Sequence, residues 1–200
     1  MRVLGIDPGT WKTGIGIVEF EKQKFKPLHY ETLVLQKRKG ELDLARRLKK
    51  LYDALTEVLK IYHPDVMAIE EVFFGLDFSA AIRIGEARAV AMLAATHFNI
   101  EVAEYAATRI KQAVTGNGRA NKVQIQFMMR HLLNLKEKPP ADAADALAVA
   151  ICHCANRAVP GDQAATRRLT NRHSASRAVP GDQAAIRRLT NRHLRSDYVS

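Results

Sequence analysis

The sequence predicts an α/β domain, a mixed sheet of about five strands with helices on both faces. Three observations predict it. The first forty residues carry strand patterns only. From residue 41 onward, helix and strand patterns alternate. An amphipathic segment over 41–62 separates two of the strands, and a right-handed crossover of that length makes the later strand parallel to an earlier one. Two hundred residues are enough for one domain with a sizeable core and a segment left over.

Taken in order, Val3, Leu4 and Ile6 form a buried strand and Asp7-Pro8-Gly9-Thr10 a turn, with Pro and Gly as the breakers. Thr13 to Glu19 is a second strand, paired back on the first as a hairpin. His29 to Leu35 is a third, followed by the basic turn Lys37-Arg38-Lys39-Gly40. In the helix over 41–62, Leu44, Leu48, Leu51, Leu55, Val58 and Tyr62 recur at three- and four-residue spacing. Arg46, Arg47, Lys49 and Lys50 fill its other side, and His63-Pro64 stops it. Residues 66–72 form the fourth strand. Residues 79–98 form a helix rich in Ala and Gly, whose small side chains let a partner element approach closely. Residues 100–105 form the fifth strand and 107–114 a short helix, ended by Thr115-Gly116-Asn117-Gly118. Residues 121–135 form a helix with Val123, Phe127, Met128 and Leu132 on one side. Pro139-Pro140 breaks the chain, and 141–155 is the last helix.

The domain is expected to span 1–156. From Arg157 the character changes. Residues 157–173 recur at 177–193 with one difference, Thr166 against Ile186. Two copies without a core-building pattern do not make a solenoid. Residues 157–200 hold nine Arg and three Asp, six of the ten net positive charges, and are expected to be a disordered basic tail.

A net charge of +10 points to an acidic partner, most simply nucleic acid. Two cysteines, Cys152 and Cys154, are too few for a disulfide framework. No apolar run reaches the ~20 residues of a membrane span, and the chain opens on a strand pattern rather than a signal peptide. A soluble cytoplasmic protein is expected.

The chemistry lies in the acids. Asp7 ends the first strand, held by rigid backbone yet open to solvent or metal. Asp-Pro also favours turns on its own; three further acids in awkward places give it a second meaning. Glu70 and Glu71 end the fourth strand and point to opposite faces, so only one can join Asp7, and only if strands one and four are neighbours. Asp142 and Asp145 share one face of a helix that is otherwise apolar nearly all round. Two carboxylates there are costly without compensation. The helix N-terminus offsets part of that cost, and a divalent cation offsets more. Hard oxygen ligands suit Mg²⁺ or Mn²⁺. Carboxylates of this kind on a basic α/β domain fit two-metal phosphodiester hydrolysis, which needs no nucleophilic Ser or Cys. Cys152-His153-Cys154 has the look of a metal motif, but residues two apart on a helix diverge, and core cysteines are expected. The glycine-rich run Gly116 to Lys122 lacks the ending of a phosphate loop; with Lys111, Arg119 and Lys122 nearby it is a candidate contact for a DNA backbone.

Gly5-Ile6-Asp7-Pro8-Gly9-Thr10 with Thr13-Gly14, Ala68-Ile69-Glu70-Glu71-Val72-Phe73, Gly85-Glu86-Ala87-Arg88, Tyr105-Ala106-Ala107, Ile110-Lys111-Gln112 and Ala141-Asp142-Ala143-Ala144-Asp145-Ala146-Leu147 stand in this order over residues 1 to about 156. Together they resemble the RuvC family of Holliday-junction resolvases. The resemblance implies a ribonuclease H-like fold and a homodimer. It implies Mg²⁺-dependent, paired symmetric nicking of four-way DNA junctions in homologous recombination and DNA repair, with two Mg²⁺ per site and Mn²⁺ as substitute. It places the catalytic, metal-binding acids on Asp7, Glu70, Asp142 and Asp145, so it selects Glu70 over Glu71. It places two basic junction contacts on Lys111 and Lys122, and the aromatic that reaches the junction centre on Phe73. A branch-migration complex is the implied protein partner. The duplicated tail departs from the family pattern. The competing readings are a related nuclease acting on RNA, an inactive junction-binding scaffold, and an actin-like nucleotide-binding protein using Asp7 to Thr10, which would need a second domain.

Overall fold

The computed structural model describes residues 1–36, 38–71 and 78–157. Phe73 and the tail beyond Arg157 lie outside the described residues. Three antiparallel strands come first, β1 (Arg2–Asp7), β2 (Lys12–Glu21) and β3 (Lys24–Val34). Helix α1 (Leu44–Tyr62) crosses over to β4 (Val66–Glu70), and α2 (Phe78–His97) crosses to β5 (Glu101–Tyr105). Helices α3 (Ala107–Thr115), α4 (Lys122–Leu132) and α5 (Ala141–Arg157) complete the domain. The sheet order is β3-β2-β1-β4-β5. As expected, β4 lies beside β1 and parallel to it.

Helices cover both faces. Leu4, Ile6, Ile15, Ile17, Met67 and Ile69 meet α1 and α2 on one side. Val3, Val18 and Ala68 meet α3, α4 and α5 on the other. Adjacent strand residues thus feed two separate cores, which is why these strands read as apolar runs rather than alternations.

Two elements start more than one residue from where they are expected. The third strand starts five residues early, at Lys24 rather than His29, because Lys22 and Gln23 take positive φ and close a tight hairpin without Gly or Asn. Pro27 sits inside that strand. It is tolerated because β3 is at the sheet edge and the register shifts there, between Ile17 and Val18. The first helix starts at Leu44, three residues late, because the Asp43 side chain accepts the Arg46 N–H at 2.8 Å and caps it.

The small residues of α2 find their partner elements within this chain. Ala87, Ala91, Ala94 and Ala95 are fully buried in this chain's own core. The face turned to solvent is instead a stripe of Phe78, Ile82, Gly85, Ala89 and Leu93 at helical spacing, with Phe78 70%, Ile82 60% and Leu93 61% exposed. Cys152 and Cys154 are core residues, as expected, and burial pushes their thiols up to about 11 and about 12.

Candidate active site

The C-terminal edge of the sheet gathers the acids. Ile6 pairs with Ile69, so the next residues, Asp7 and Glu70, stand side by side as β1 and β4 end. Strand alternation leaves Glu70 half-buried and Glu71 exposed. The end of β4 is tied down from two sides: the Glu71 N–H donates to the Tyr105 carbonyl at 2.9 Å, and Arg88 Nε donates to the Glu70 carbonyl at 3.3 Å. Arg88 is itself ion-paired with Glu104.

Helix α5 brings the other two acids, and glycines let it come close enough. A methyl group at Gly14 would overlap the Asp142 carbonyl and reach to 3.2 Å from Asp7 Cβ. At Gly5 it would overlap the Ala146 carbonyl and lie 2.8 Å from the Ala150 nitrogen; at Gly16 it would lie 2.7 Å from the Leu147 nitrogen. These glycines are needed for close approach, not for unusual backbone angles. They let the backbone of α5 lie directly on β1 and β2, with Ala146 and Ala150 offering the matching small side chains. Asp142 and Asp145, both half-buried in the first turns of α5, therefore arrive beside Asp7.

Two lysines border the acids. The capping box of Asn121 and Gln124, with reciprocal 2.9 Å hydrogen bonds, fixes the start of α4 and with it Lys122. Lys122 Nζ lies 3.5 Å from Asp145 Oδ2. Lys111, on α3, acts electrostatically on Glu70 and Asp145. Arg119 is exposed on the turn between α3 and α4, where its N–H donates to Asn117 Oδ1 at 3.0 Å.

The electrostatics record how crowded the carboxylates are. Burial, then Asp145 and Glu70, push the Asp7 carboxyl up to about 7, against the pull of Lys122. Burial, then Asp145, raise Glu70, with Lys111 and Lys122 opposing. Burial raises Asp145, and Lys122 holds it back. Lys122 is raised in turn, chiefly by Asp145. A half-buried site with this surplus of negative charge and only oxygen donors fits a hard divalent cation. Among the described residues no three side chains already converge at coordination distance; the acids share one field, with the Lys122 ammonium among them.

All four expected acids, with Lys111 and Lys122, therefore meet at one place. What sequence reasoning missed was Gly5, Gly14 and Gly16. Glycine inside a strand pattern, matched to alanines in the last helix, was the signal that could have found them.

A family model described as crossover junction endodeoxyribonuclease RuvC matches residues 3–153. The RuvC of Desulforamulus reducens is 51% identical over 154 residues, 76% of this chain and 93% of that protein. The RuvC of Caldanaerobacter subterraneus subsp. tengcongensis is 48% identical over 155 residues, 77% of this chain and 92% of that protein. Among solved structures, Thermus thermophilus RuvC in complex with a Holliday-junction substrate superposes with a TM-score of 0.72 at 34% identity, covering 78% of this chain and 94% of that one. The yeast mitochondrial resolvase Ydc2, at 12% identity and a TM-score of 0.58, shares the fold. With that sheet order, that meeting of acids and this breadth of match, the chain belongs to the RuvC family of crossover junction endodeoxyribonucleases, enzymes of the ribonuclease H-like fold.

Proposed function

We propose that this chain resolves four-way DNA junctions by paired symmetric nicks, with Asp7, Glu70, Asp142 and Asp145 as its metal-binding acids and Mg²⁺ as its cation, two per site. The observation that carries the reading is the meeting of four carboxylates from β1, β4 and α5 beside two lysines. When bound, divalent cations lower the pKa of an attacking water and neutralise the leaving oxygen. The chain's own part is to hold the oxygens. Asp7 and Glu70 stand on paired strands, and Asp142 and Asp145 on a helix seated against those strands, so the donor positions are set by backbone rather than by loops. Lys111 and Lys122 supply cations for the phosphates that flank the cut, Arg119 extends that border, and Phe73 is assigned to the junction centre. A synthetic four-way junction should be cut symmetrically in Mg²⁺, while an RNA duplex and a linear DNA duplex should not. Preferential cutting of RNA would transfer the site to a ribonuclease.

Two equivalent cuts call for two equivalent sites, which a two-fold dimer provides. The outward stripe of α2 supports this, because Gly85 has open space around it and stands between Ile82 and Leu93. Light scattering should give about twice the monomer mass of 22.3 kDa. Leu93→Glu should return that mass to the monomer value at micromolar concentration. A wild-type protein that stays monomeric with and without junction would remove the dimer.

The tail is proposed as an electrostatic accessory. A chain ended after Arg157 keeps every described contact of α5, including the hydrogen bond from Arg109 Nη2 to Asn156 Oδ1 at 3.0 Å. It should fold, cut junctions, and lose only salt-sensitive affinity for duplex DNA. Loss of folding would make the tail part of the domain.

A further inference from the structure

The acids are bordered by Lys111 and Lys122 on the side of β5, α3 and α4. The side toward β2 and β3 carries Trp11, the only tryptophan in the chain. Trp11 ends the short loop that begins at Asp7, so its Cα lies within roughly 14 Å of that of the acid. Its backbone is held on both sides. The Trp11 carbonyl accepts the Leu35 N–H at 2.9 Å and the Gln36 N–H at 3.4 Å, and the preceding Thr10 carbonyl accepts from Arg47 Nη1 at 3.2 Å. Within the loop, Thr13 Oγ1 donates to the Gly9 carbonyl at 2.8 Å. The loop backbone is thus tied down on both sides, yet Trp11 is 41% exposed.

Lys12 follows Trp11 directly, and Arg38 and Lys39 come two and three residues after Gln36, whose N–H donates to the Trp11 carbonyl; all three are exposed, none is in an ion pair among the described residues, and the Arg38 N–H donates to Glu41 Oε2 at 3.2 Å. Lys12 pairs across the sheet with Val34, the last residue of β3, and Arg38 follows four residues later in the chain. A rigid, exposed aromatic beside unpaired cations is the arrangement by which proteins hold an unstacked nucleotide: the ring takes the base and the cations take the phosphates. A core role for the ring is excluded by its exposure, and the backbone hydrogen bonds already account for the shape of the loop.

We propose that Trp11 is a second nucleotide contact, on which a base of the cleaved strand stacks while Lys12, Arg38 and Lys39 hold its phosphates. This rests on the junction-nuclease reading. A duplex strand advances about 3.4 Å along its axis per nucleotide, so the contact falls no more than about four nucleotides from the cut, on the opposite side of the acids from Lys111. The strand would then be gripped on both sides of the scissile phosphate, a geometry that positions the phosphate over the carboxylates.

The single tryptophan makes the test direct. Full-length protein in EDTA is titrated with a fluorescein-labelled four-way junction, and a second titration with unlabelled junction follows Trp emission. The expected result is quenched emission that saturates with the anisotropy, together with weaker binding by Trp11→Ala of roughly five- to a hundredfold. Trp11→Phe should keep most of the affinity, and the melting temperatures of both variants should stay near wild type. Binding by anisotropy with unchanged Trp emission would overturn the proposal and leave the nuclease reading intact, as would equal affinity of a folded Trp11→Ala. If Trp11→Ala fails to fold, the emission of the wild type decides. Failure of the wild type to bind the junction at all would overturn both readings.

Discussion

Asp7→Asn should bind a four-way junction about as tightly as the wild type and fail to cut it. On the proposed reading the binding contacts come from Lys111, Lys122 and the other cations, which the substitution leaves in place. On the same reading the cutting depends on charged oxygens that hold the cation, and Asn lacks the charge. Several kcal/mol of transition-state stabilisation rest on such a site, and each 1.36 kcal/mol is tenfold in rate, so the loss should be on the order of a thousandfold or more. The same substitution should stabilise the metal-free protein, and the sign can be worked out. Folded Asp7 keeps its proton up to about pH 7, while an unfolded Asp releases it near 3.8. Between these values the folded chain binds more protons than the unfolded chain, so stability falls as pH rises from 4 to 7 and stays lowered above 7. Asn has no charge to lose. In EDTA at pH 8, Asp7→Asn should be more stable by on the order of 2 kcal/mol; converting the whole shift would give ~4 kcal/mol, an upper bound for a site that water still reaches. The gap should close below pH 4, and Mg²⁺ should raise the melting temperature of the wild type but not of the variant. Thermal melts at pH 4 and pH 8, with and without Mg²⁺, measure all of this. Retained Mg²⁺-dependent cutting by Asp7→Asn would remove Asp7 from the metal site.

Gly5→Ala should be among the most damaging single methyl groups in the domain. Its Cβ would overlap the Ala146 carbonyl and stand 2.8 Å from the Ala150 nitrogen, so no side chain can rotate away and a whole helix must move. Overpacking of flexible side chains costs ~1–3 kcal/mol; here the obstacle is backbone, and the cost should exceed ~3 kcal/mol. Moving α5 outward also carries Asp142 and Asp145 away from Asp7, so cutting should fall more steeply than the folded fraction. Gly85→Ala is the matched control. Nothing lies near its Cβ, and Ala favours a helix by about 1 kcal/mol over Gly, so the fold of the protomer itself should be preserved. Urea unfolding monitored by circular dichroism, with cutting assays at equal folded concentration, separates the two effects. A Gly5→Ala protein within 1 kcal/mol of wild type would mean that the backbone of α5 is not seated directly on the sheet.

Much of this architecture could be read locally. The leucine spacing of α1, the apolar runs of β1 and β4 and the nearly unbroken apolar circumference of α5 each carry their secondary structure and burial in a short window. Asp142 and Asp145 stand out locally because charge on a buried helix is expensive wherever the helix packs. The start of β3 was not legible, because Lys22 and Gln23 adopt positive φ without the Gly or Asn that usually announces it. The outward face of α2 was not legible either, since Ala and Gly on a helix serve a core and an interface equally well until the neighbour is known.

The sequence by itself determined which segments are strands and helices, that the sheet is mixed with both faces covered, and that an acid stands at each of three element ends. Choosing Glu70 over Glu71 from the chain's own geometry needed the parallel pairing that sets Ile6 against Ile69, because alternation distinguishes two neighbours only once one face has been assigned. The gathering of the acids was likewise a tertiary decision. Asp7 and Asp142 are far apart in sequence, and what joins them is the absence of side chains at Gly5, Gly14 and Gly16. Empty volume has no local signature: it acquires meaning only when another backbone occupies it.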